Sequence, residues 1–354
     1  MLNSPRGRDF CANIGFACSN DERKSGYNRQ RTPSDVLDDL ANVDVRAIAQ
    51  LSEIEMLDEL AGAVDVARYW QPPDEDDLIF AAPEVITVLR PIAQAILESP
   101  HTSWWTESVD LVNQRVVQKF ESIPDSPAEP LRIRHFGDGL ERWHEHMLDY
   151  EAQFVEYVKA DPDRNIGGEW WSIPAADGVY DTTRERDGVG AMELMLEEDS
   201  PGWGYPRVWP VRVHGAPRVY EITCPADWAH LVDAYPLAVP ASRRFVWHDT
   251  TGEHHNWFVP DWTAVVTDYD AVHLTMVGYL TTPGIAIPLT EHSGATVLAG
   301  WNPDVTYWLC SDFITIGDTM TEWRRSLDGP WVEASSTPSP QKPPASVGTW
   351  MPFR

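Results

Sequence analysis

The chain has 354 residues, of which 43% are hydrophobic and 23% are charged, an ordinary composition for a globular protein. This length suffices for one large domain or two smaller ones, so a sizeable core needs neither disulfides nor structural metal. The 55 acidic residues outnumber the 27 basic ones and give a net charge of −28. Because nucleic acids and anionic membranes are bound through Lys and Arg, this excess argues against both as partners.

The spacing of the cysteines and the length of the apolar runs indicate the cellular compartment in which the protein is expected. Cys11, Cys18, Cys224 and Cys310 form no CxxC pair and no metal-ligand spacing. No stretch reaches the roughly 18 apolar residues that a membrane span requires. The first residues also lack the apolar run of a signal peptide. We therefore predict a cytoplasmic protein with no membrane partner and no bound metal.

The first half of the chain is predicted to be helical. Residues 1–33 have no hydrophobic period and are predicted to be a flexible arm. Residues 34–160 are predicted to form a helical subdomain, in which the first helix begins at Ser34 with acidic residues in its first turn. Further helical patterns cover residues 48–64, 83–99, 108–120 and 137–160.

The second half has a different character. Residues 161–330 are rich in Pro, Gly and Trp, and their short β-branched runs are typical of strands. Two short helices are predicted, one with Pro225 at its start and one capped by Asp261. Strands that alternate with short helices predict an α+β domain with a mixed or antiparallel sheet. Residues 331–354 are predicted to be an unstructured Pro/Ser-rich tail.

The stretch from Gly167 to Arg186, GGEWWSIPAADGVYDTTRER, is the strongest candidate for a ligand site. In an extended segment two neighbouring indoles face opposite sides, so one is expected to enter the core and the other to stack on a planar ring. Hydroxyl groups follow, then an arginine whose fork suits phosphate, then a glutamate able to stabilise positive charge on a ribose. The predicted binding residues are Trp170, Trp171, Ser172, Tyr180, Thr183 and Arg184, and the predicted catalytic residue is Glu193.

This layout resembles the RES-type toxins, relatives of the ADP-ribosyltransferases that consume NAD. That family has a Gly-Gly-Arg-Trp-Asn-Ser-Pro-Gly turn, then Val-Tyr and a Ser or Thr, then a helix with a glutamate. GGEWWSIPAADGVYDTT followed by GAMELM is similar over about 30 residues. The family's arginine in the turn is Glu169 here, so Arg184 or another arginine would have to bind the phosphate. The resemblance implies that NAD is a substrate and that no cofactor is bound.

His273 is a second catalytic candidate. In the predicted strand AVHLTM it lies on the face opposite Val272 and Leu274, and Asp268 and Asp270 precede it. A histidine on the polar face of a strand near two aspartates is suited to acid–base chemistry. The alternative is a half-exposed strand histidine without a catalytic role.

Three classes of function stay open. The first is an intracellular enzyme that acts on a nucleotide-like or sugar-like small molecule. The second is a non-catalytic acidic module, of the immunity or antitoxin type, which binds a basic protein. The third is a glycan-binding protein, which the missing secretion signal disfavours. Convergence of a tryptophan, Arg184, Glu193 and His273 in one cleft would favour the enzyme.

Overall fold

The fold is taken from a computed structural model, which describes residues 1–19, 32–120, 122, 124, 129, 131–135, 137–162, 165–200, 202, 204–325 and 330–334. These residues form an α+β fold, as the alternation of strand and helix patterns in the sequence predicts. Its centre is a mixed sheet of ten strands in the described part of the chain.

The N-terminal part contributes a group of packed helices. Its helices are α1 (Pro5–Ala17), α2 (Pro33–Leu40), α3 (Val45–Ile48), α4 (Glu53–Asp65), α5 (Glu75–Phe80) and α6 (Pro83–Leu97). Capping residues explain where these helices begin. In α4, for example, Ser52 and Glu55 form a reciprocal capping box at the first turn. The helix from 83 to 97 continues through Pro91, as its hydrophobic spacing predicts.

The prediction of a flexible arm was wrong for the start of the chain. Residues Pro5–Ala17 form α1, in which Phe10, Cys11 and Ile14 are fully buried. Helix α1 packs against α4 and α6. Its apolar residues are interrupted by Arg6 and Asp9, which pair with each other in the interior and so obscure the hydrophobic period. Residues 20–31 of the predicted arm lie outside the described residues.

The helix predicted over residues 108–120 is also wrong. Residues Gln114–Gln118 form strand β1, and residues 107–113 form an irregular segment. The valines fit a helical spacing, but Val116 and Val117 face Trp209 and Val208 of a neighbouring strand. Tertiary pairing of β-branched residues therefore overrides the helical pattern.

The main sheet has the strand order β14-β13-β4-β1-β2-β11-β8-β5, with β12 paired to β4 and β3 paired to β2. Its strands are β1 (Gln114–Gln118), β2 (Tyr180–Arg186), β3 (Gly190–Ala191), β4 (Arg207–Val213), β5 (Val219–Ile222), β8 (Ala271–Leu274), β11 (Val305–Trp308), β12 (Ile314–Ile316), β13 (Thr321–Arg325) and β14 (Trp331–Glu333). The β5–β8 pair is parallel and the other recorded pairs of this sheet are antiparallel.

The remaining elements surround this sheet. Two small two-stranded antiparallel sheets pair β6 (Pro236–Ala238) with β7 (Phe258–Pro260) and β9 (Ile287–Pro288) with β10 (Ala295–Thr296). The later helices are α7 (Gly139–Ala160), α8 (Pro225–Ala234), α9 (Arg244–Thr251), α10 (Trp262–Asp268) and α11 (Met276–Tyr279), with 3₁₀ turns η1 (Pro100–Thr106), η2 (Met192–Leu194) and η3 (Ser311–Phe313). The long predicted helix α7 and the helices at Pro225 and Asp261 are confirmed.

One hydrophobic cluster joins the two predicted halves. It contains Phe10 and Leu89 of the N-terminal helices together with Leu274 of β8 and Trp301. Strand β1, from the first half, lies between β4 and β2 of the second. The opposite face of the sheet carries a smaller cluster of strand and loop residues around Trp209 and Trp308. The boundary predicted at residue 160 therefore does not separate two cores.

Among the described residues, no helix combines the length and the apolar character that crossing a membrane requires. The predicted tail begins with a strand, because Trp331–Glu333 form β14 against β13. Residues 335–354 lie outside the described residues.

Candidate functional site

Strand β2 divides the predicted site residues between two faces of the sheet. Because side chains alternate along a strand, Tyr180, Thr182 and Arg184 project to one face, and Asp181 and Thr183 to the other. The first face carries the smaller cluster of Trp209 and Trp308, and the second faces the large cluster. The residues predicted to form one pocket are therefore separated by the thickness of the sheet.

Arg184 is enclosed by protein partners on the first face. Its Nε donates to Asp304 Oδ2 at 3.2 Å, its Nη1 to Glu107 Oε2 at 2.9 Å and its Nη2 to the carbonyl oxygen of Ser108 at 3.1 Å. The residue is 3% exposed. Each nitrogen of the fork is thus engaged within the protein, and binding a phosphate through Arg184 would require that these bonds break.

His273 belongs to the same buried network. Its Nδ1 lies 2.6 Å from Glu221 Oε2 and its Nε2 lies 3.3 Å from Asp304 Oδ1. Burial alone would lower the pKa of His273, but the hydrogen bonds with Asp304 and Glu221 raise it to about 9. His273 is therefore a buried cation at neutral pH rather than a half-exposed histidine.

The predicted partners of His273 were wrong. Asp268 accepts a hydrogen bond from the Tyr235 hydroxyl, and Asp270 forms an ion pair with Arg218. The partner that joins Arg184 to His273 is Asp304, which precedes β11 with a φ of +57°. This left-handed conformation is uncommon for a residue with a side chain, and it is held here by two charged neighbours.

On the second face, Asp181 is the most unusual side chain. It is exposed to solvent, yet burial, together with the nearby Glu193, raises its pKa to about 6 despite the opposing effect of Lys119. Solvent reaches this side chain, while neighbouring charged groups and the flanking strands surround the rest of it. We refer to the space around Asp181, Glu193, Lys119 and Tyr307 as the Asp181 cleft.

The sheet itself opens at this position. Strands β1 and β2 pair at Gln114–Arg184 and Arg115–Thr183, but no further pair follows between these two strands. From Val116 onward β1 pairs with β4 alone. On its other side, Asp181 lies opposite Tyr307 of β11. The departure of β1 leaves room beside Asp181, and Lys119 lies directly beyond the end of β1.

Glu193 is held firmly at one wall of the cleft. Its Oε1 accepts from Lys119 Nζ at 2.7 Å and from Asn302 Nδ2 at 3.4 Å, and the residue is 4% exposed. The same ammonium group donates to Glu197 Oε1 at 2.8 Å. Burial opposes the charge on Lys119, but these two carboxylates raise its pKa above the usual range. Glu193 is thus oriented as the ion-pair partner of a permanent cation.

The cleft extends toward a second carboxyl group and a pair of indoles. Glu198 accepts from the Tyr69 hydroxyl at 2.9 Å, and its own N–H donates to Asn302. Burial raises the pKa of Glu198 to about 8. The carboxyl group also accepts from the N–H of Gly300, on which Trp170 packs. Trp170 in turn lies 4.7 Å from Trp70, centroid to centroid.

The other predicted binding residues have structural partners. Ser172 exchanges hydrogen bonds with the backbone of Ala299, and the Tyr180 hydroxyl accepts from the backbone N–H of Arg134. Trp171 lines a crevice with Trp143 and Arg243 that is too narrow to admit a water molecule. The expectation that one indole enters the core and the other does not is met in part, since both are half-buried and only Trp170 packs on the large cluster.

Thr183 lies on the face of the Asp181 cleft. Its hydroxyl oxygen is buried and has no hydrogen-bond partner among the described residues. Of the predicted residues, the structure therefore brings Glu193, Thr183 and Trp170 to one side of the sheet and Arg184, His273 and Tyr180 to the other.

Sequence reasoning missed Asp181, Lys119, Glu198 and Tyr307. Asp181 stands inside the stretch that was singled out, between the predicted binding residues Tyr180 and Thr183. Alternation along a strand would have identified it as a neighbour of Thr183, had β2 been predicted as a strand. Lys119 carried no signal, because the segment around it was predicted to be helical.

Comparison with known proteins adds no further constraint. No protein-family model, curated protein or solved structure matches the chain. Within the described residues, no group of three or more His, Cys, Asp or Glu side chains is placed to hold a metal ion.

Proposed function

We propose that this protein is an enzyme that cleaves a glycosidic bond of a nucleotide-like or sugar-like substrate in the Asp181 cleft. The observation that carries the proposal is an exposed carboxyl group at the point where β1 leaves β2, beside a second carboxylate that an ion pair orients. Two carboxyl groups in different environments are the parts that glycoside cleavage uses.

The two carboxyl groups have different tasks in this proposal. Asp181 keeps a protonated fraction near neutral pH and donates that proton to the leaving group as the bond to the anomeric carbon breaks. Glu193, held by Lys119, stabilises the positive charge that develops on the sugar. Water then adds to the anomeric carbon and passes a proton to the Asp181 carboxylate, which restores the starting state.

Consumption of NAD is the narrower form of this proposal, and it rests on the resemblance to the RES-type toxins. It requires a cation for the diphosphate, and Arg184 is buried on the opposite face with its nitrogens engaged. The net charge of −28 favours a second candidate, a non-catalytic acidic module that binds a basic protein.

The decisive variant is Asp181→Asn, which keeps the shape of the side chain and removes the donated proton. We expect it to lower kcat at least 100-fold, because general acid catalysis contributes about 10²–10⁴-fold. The wild-type rate should fall as pH rises above about 6, where Asp181 loses its proton. The loss in Asp181→Asn and the fall in rate above pH 6 are expected with nitrophenyl glycosides, whose leaving oxygen can accept the Asp181 proton. NAD⁺ and nicotinamide riboside release nicotinamide as a neutral molecule, so with them Asp181 only accepts the proton of the attacking water. The measurement is chromatography of the products from all three compounds.

Asp187→Asn is the matched control, since Asp187 is exposed in the turn after the same strand. It should leave the rate unchanged. Turnover that survives in the Asp181→Asn protein would contradict the assignment of Asp181. Absence of turnover with all three compounds would contradict the enzyme and favour the acidic module, to be tested by co-purification with a basic protein.

A further inference from the structure

Residues 198–200, which we call the clasp, are joined to residues 65–69 at the end of α4 and just beyond it. Three hydrogen bonds connect the two segments: Ser200 N–H to Asp65 Oδ1 at 3.1 Å, Arg68 Nε to Asp199 Oδ1 at 3.0 Å, and the Tyr69 hydroxyl to Glu198 Oε1 at 2.9 Å. Asp199, at the centre of the clasp, has a φ of +47°. This left-handed conformation is uncommon for a residue with a side chain, so the turn is held by its contacts and not by its own preference.

The carboxyl group of Glu198 is the enclosed part of the clasp. The residue is half-buried, but its Oε2 atom is buried and has no hydrogen-bond partner in the described part of the chain. The hydroxyl of Tyr279 in α11 lies close enough to act on this carboxyl group, and its oxygen is also buried and unpaired there. A hydrogen bond between these two atoms can form in either charge state, with the carboxyl group or the phenol as the donor. The surrounding charges therefore decide which state is favoured.

The cations near this carboxyl group are bound to other carboxylates. The Arg6 side chain is 3% exposed, and it pairs with Asp9 at 3.1 Å and with Asp77 at 2.6 Å. Arg68 is paired with Asp199 inside the clasp itself. A negative charge on the enclosed carboxyl group would therefore lie in the interior without a cation of its own, which is unfavourable.

Further carboxyl groups lie on the side of the sheet. Burial, together with the charges of Asp181, Glu193 and Glu198, raises the pKa of Tyr307 well above its usual range, so these three carboxyl groups lie around one phenol. Burial also raises the pKa of Glu198 to about 8, against the opposing effects of its hydrogen bonds and of Arg6. Glu198 therefore keeps its proton at neutral pH.

We propose that the proton on Glu198 acts as a latch, which keeps the clasp closed on residues 65–69 while it is bound and lets the clasp open when it is lost. Loss of the proton leaves an uncompensated charge in the interior, and opening returns that charge to water. The closed state should therefore weaken as pH rises from about 4.5, the ordinary pKa of a glutamate, to about 8. The latch does not depend on the proposed enzymatic function.

Hydrogen exchange followed by mass spectrometry tests the latch at residues 65–70 and 198–200, with protection expressed relative to the intrinsic exchange rate at each pH. In the wild-type protein, protection should fall at least about tenfold between pH 6 and 8.5. Glu198→Gln keeps the shape of the protonated acid and cannot ionise, so its protection should change less than about threefold. Glu141→Gln, a matched change at an exposed position of α7, should behave like the wild-type protein.

Tyr69→Phe provides a second test in which Glu198 stays in place. It removes a hydrogen-bond donor that favours the ionised carboxyl group, so the pH above which protection stops falling should move upward. A purely structural role of the Tyr69 hydroxyl would lower protection by the same factor at every pH. An equal fall in the wild-type and Glu198→Gln proteins, or no fall in the wild-type protein, overturns the latch. If Glu198→Gln does not fold, an unchanged pH dependence in Tyr69→Phe contradicts it.

Discussion

At the scale of single residues, Asp304 and Asp181 represent two ways of placing a carboxyl group in a sheet. Asp304 is 2% exposed and joins Arg184 to His273, so its charge is compensated and its role is to hold strands together. Asp181 is reached by solvent and keeps a raised pKa of about 6. Only the second carboxyl group combines access for a substrate with a proton to donate.

The His273 network is expected to make the folded protein less stable at alkaline pH. The pKa of His273 in the folded protein is about 9, above its ordinary value of 6.5, so folding favours the protonated form. The resulting stabilisation is complete below about pH 6.5 and is lost as pH rises through 9. We expect the free energy of unfolding to fall by on the order of 3 kcal/mol across this interval.

Urea denaturation at several pH values between 6 and 9.5 measures this loss. The His273→Gln protein should be less stable at neutral pH, because Asp304 and Glu221 lose a cationic partner. Its stability should also change less between pH 6.5 and 9. An equal decline in both proteins would show that another group is responsible.

At the scale of elements, the sequence predicted the helices with long regular stripes and the strands with dense β-branched runs. Helix α7 and strands β4 and β5 are in this class. Strand β2 was not predicted, because its letters YDTTRER contain one aromatic and mostly polar residues. Its polar side chains find charged partners on both faces, and those partners come from distant parts of the chain.

About half of the residues of the candidate site could therefore be predicted from the sequence. Glu193, Thr183 and Trp170 could be named from composition, whereas the division of β2 between two faces depends on pairing with β1 and β11. The distance of 74 residues along the chain between Lys119 and Glu193 has no local signal. Contacts of this kind arise from topology and cannot be read from spacing.

Helix α1 provides a test at the same scale, since the sequence predicted an arm and the structure places a core helix there. Phe10 is fully buried and its ring lies 5.6 Å from that of Trp105. Phe10→Ala should lower the free energy of unfolding by about 3–5 kcal/mol, the cost of a large cavity in a packed core.

Leu78→Ala is the comparison for this variant, because Leu78 is 62% exposed and its truncation should cost less than about 0.5 kcal/mol. Both are measured by urea denaturation. A Phe10→Ala protein as stable as the Leu78→Ala protein would mean that α1 is not part of the folded core in solution.

At the scale of the whole molecule, the charge of −28 is the dominant property. Like charges on one surface repel one another and disfavour the compact state, and salt screens this repulsion over about 10 Å at 0.1 M. We expect the melting temperature to rise by a few degrees between about 0.02 and 0.5 M NaCl, measured by calorimetry at pH 7.

The same experiment at pH 4.6 is the control, because the sequence pI is about 4.6 and the net charge is then close to zero. The increase with salt should be small or absent there. A similar increase at both pH values would point to a general salt effect on hydrophobic burial rather than to relief of repulsion.

The alternation of β2 has a consequence for how this segment tolerates insertions and deletions. One residue added or removed before Asp181 would reverse the direction of every later side chain that keeps its pairing. Arg184 would then project to the face of Asp181; after a deletion Glu185 would take its place beside Asp304, and after an insertion Thr183 would. The effect of a substitution in β2 is confined to the face on which that residue lies. A change in the length of β2 alters the side chains on both faces of the sheet.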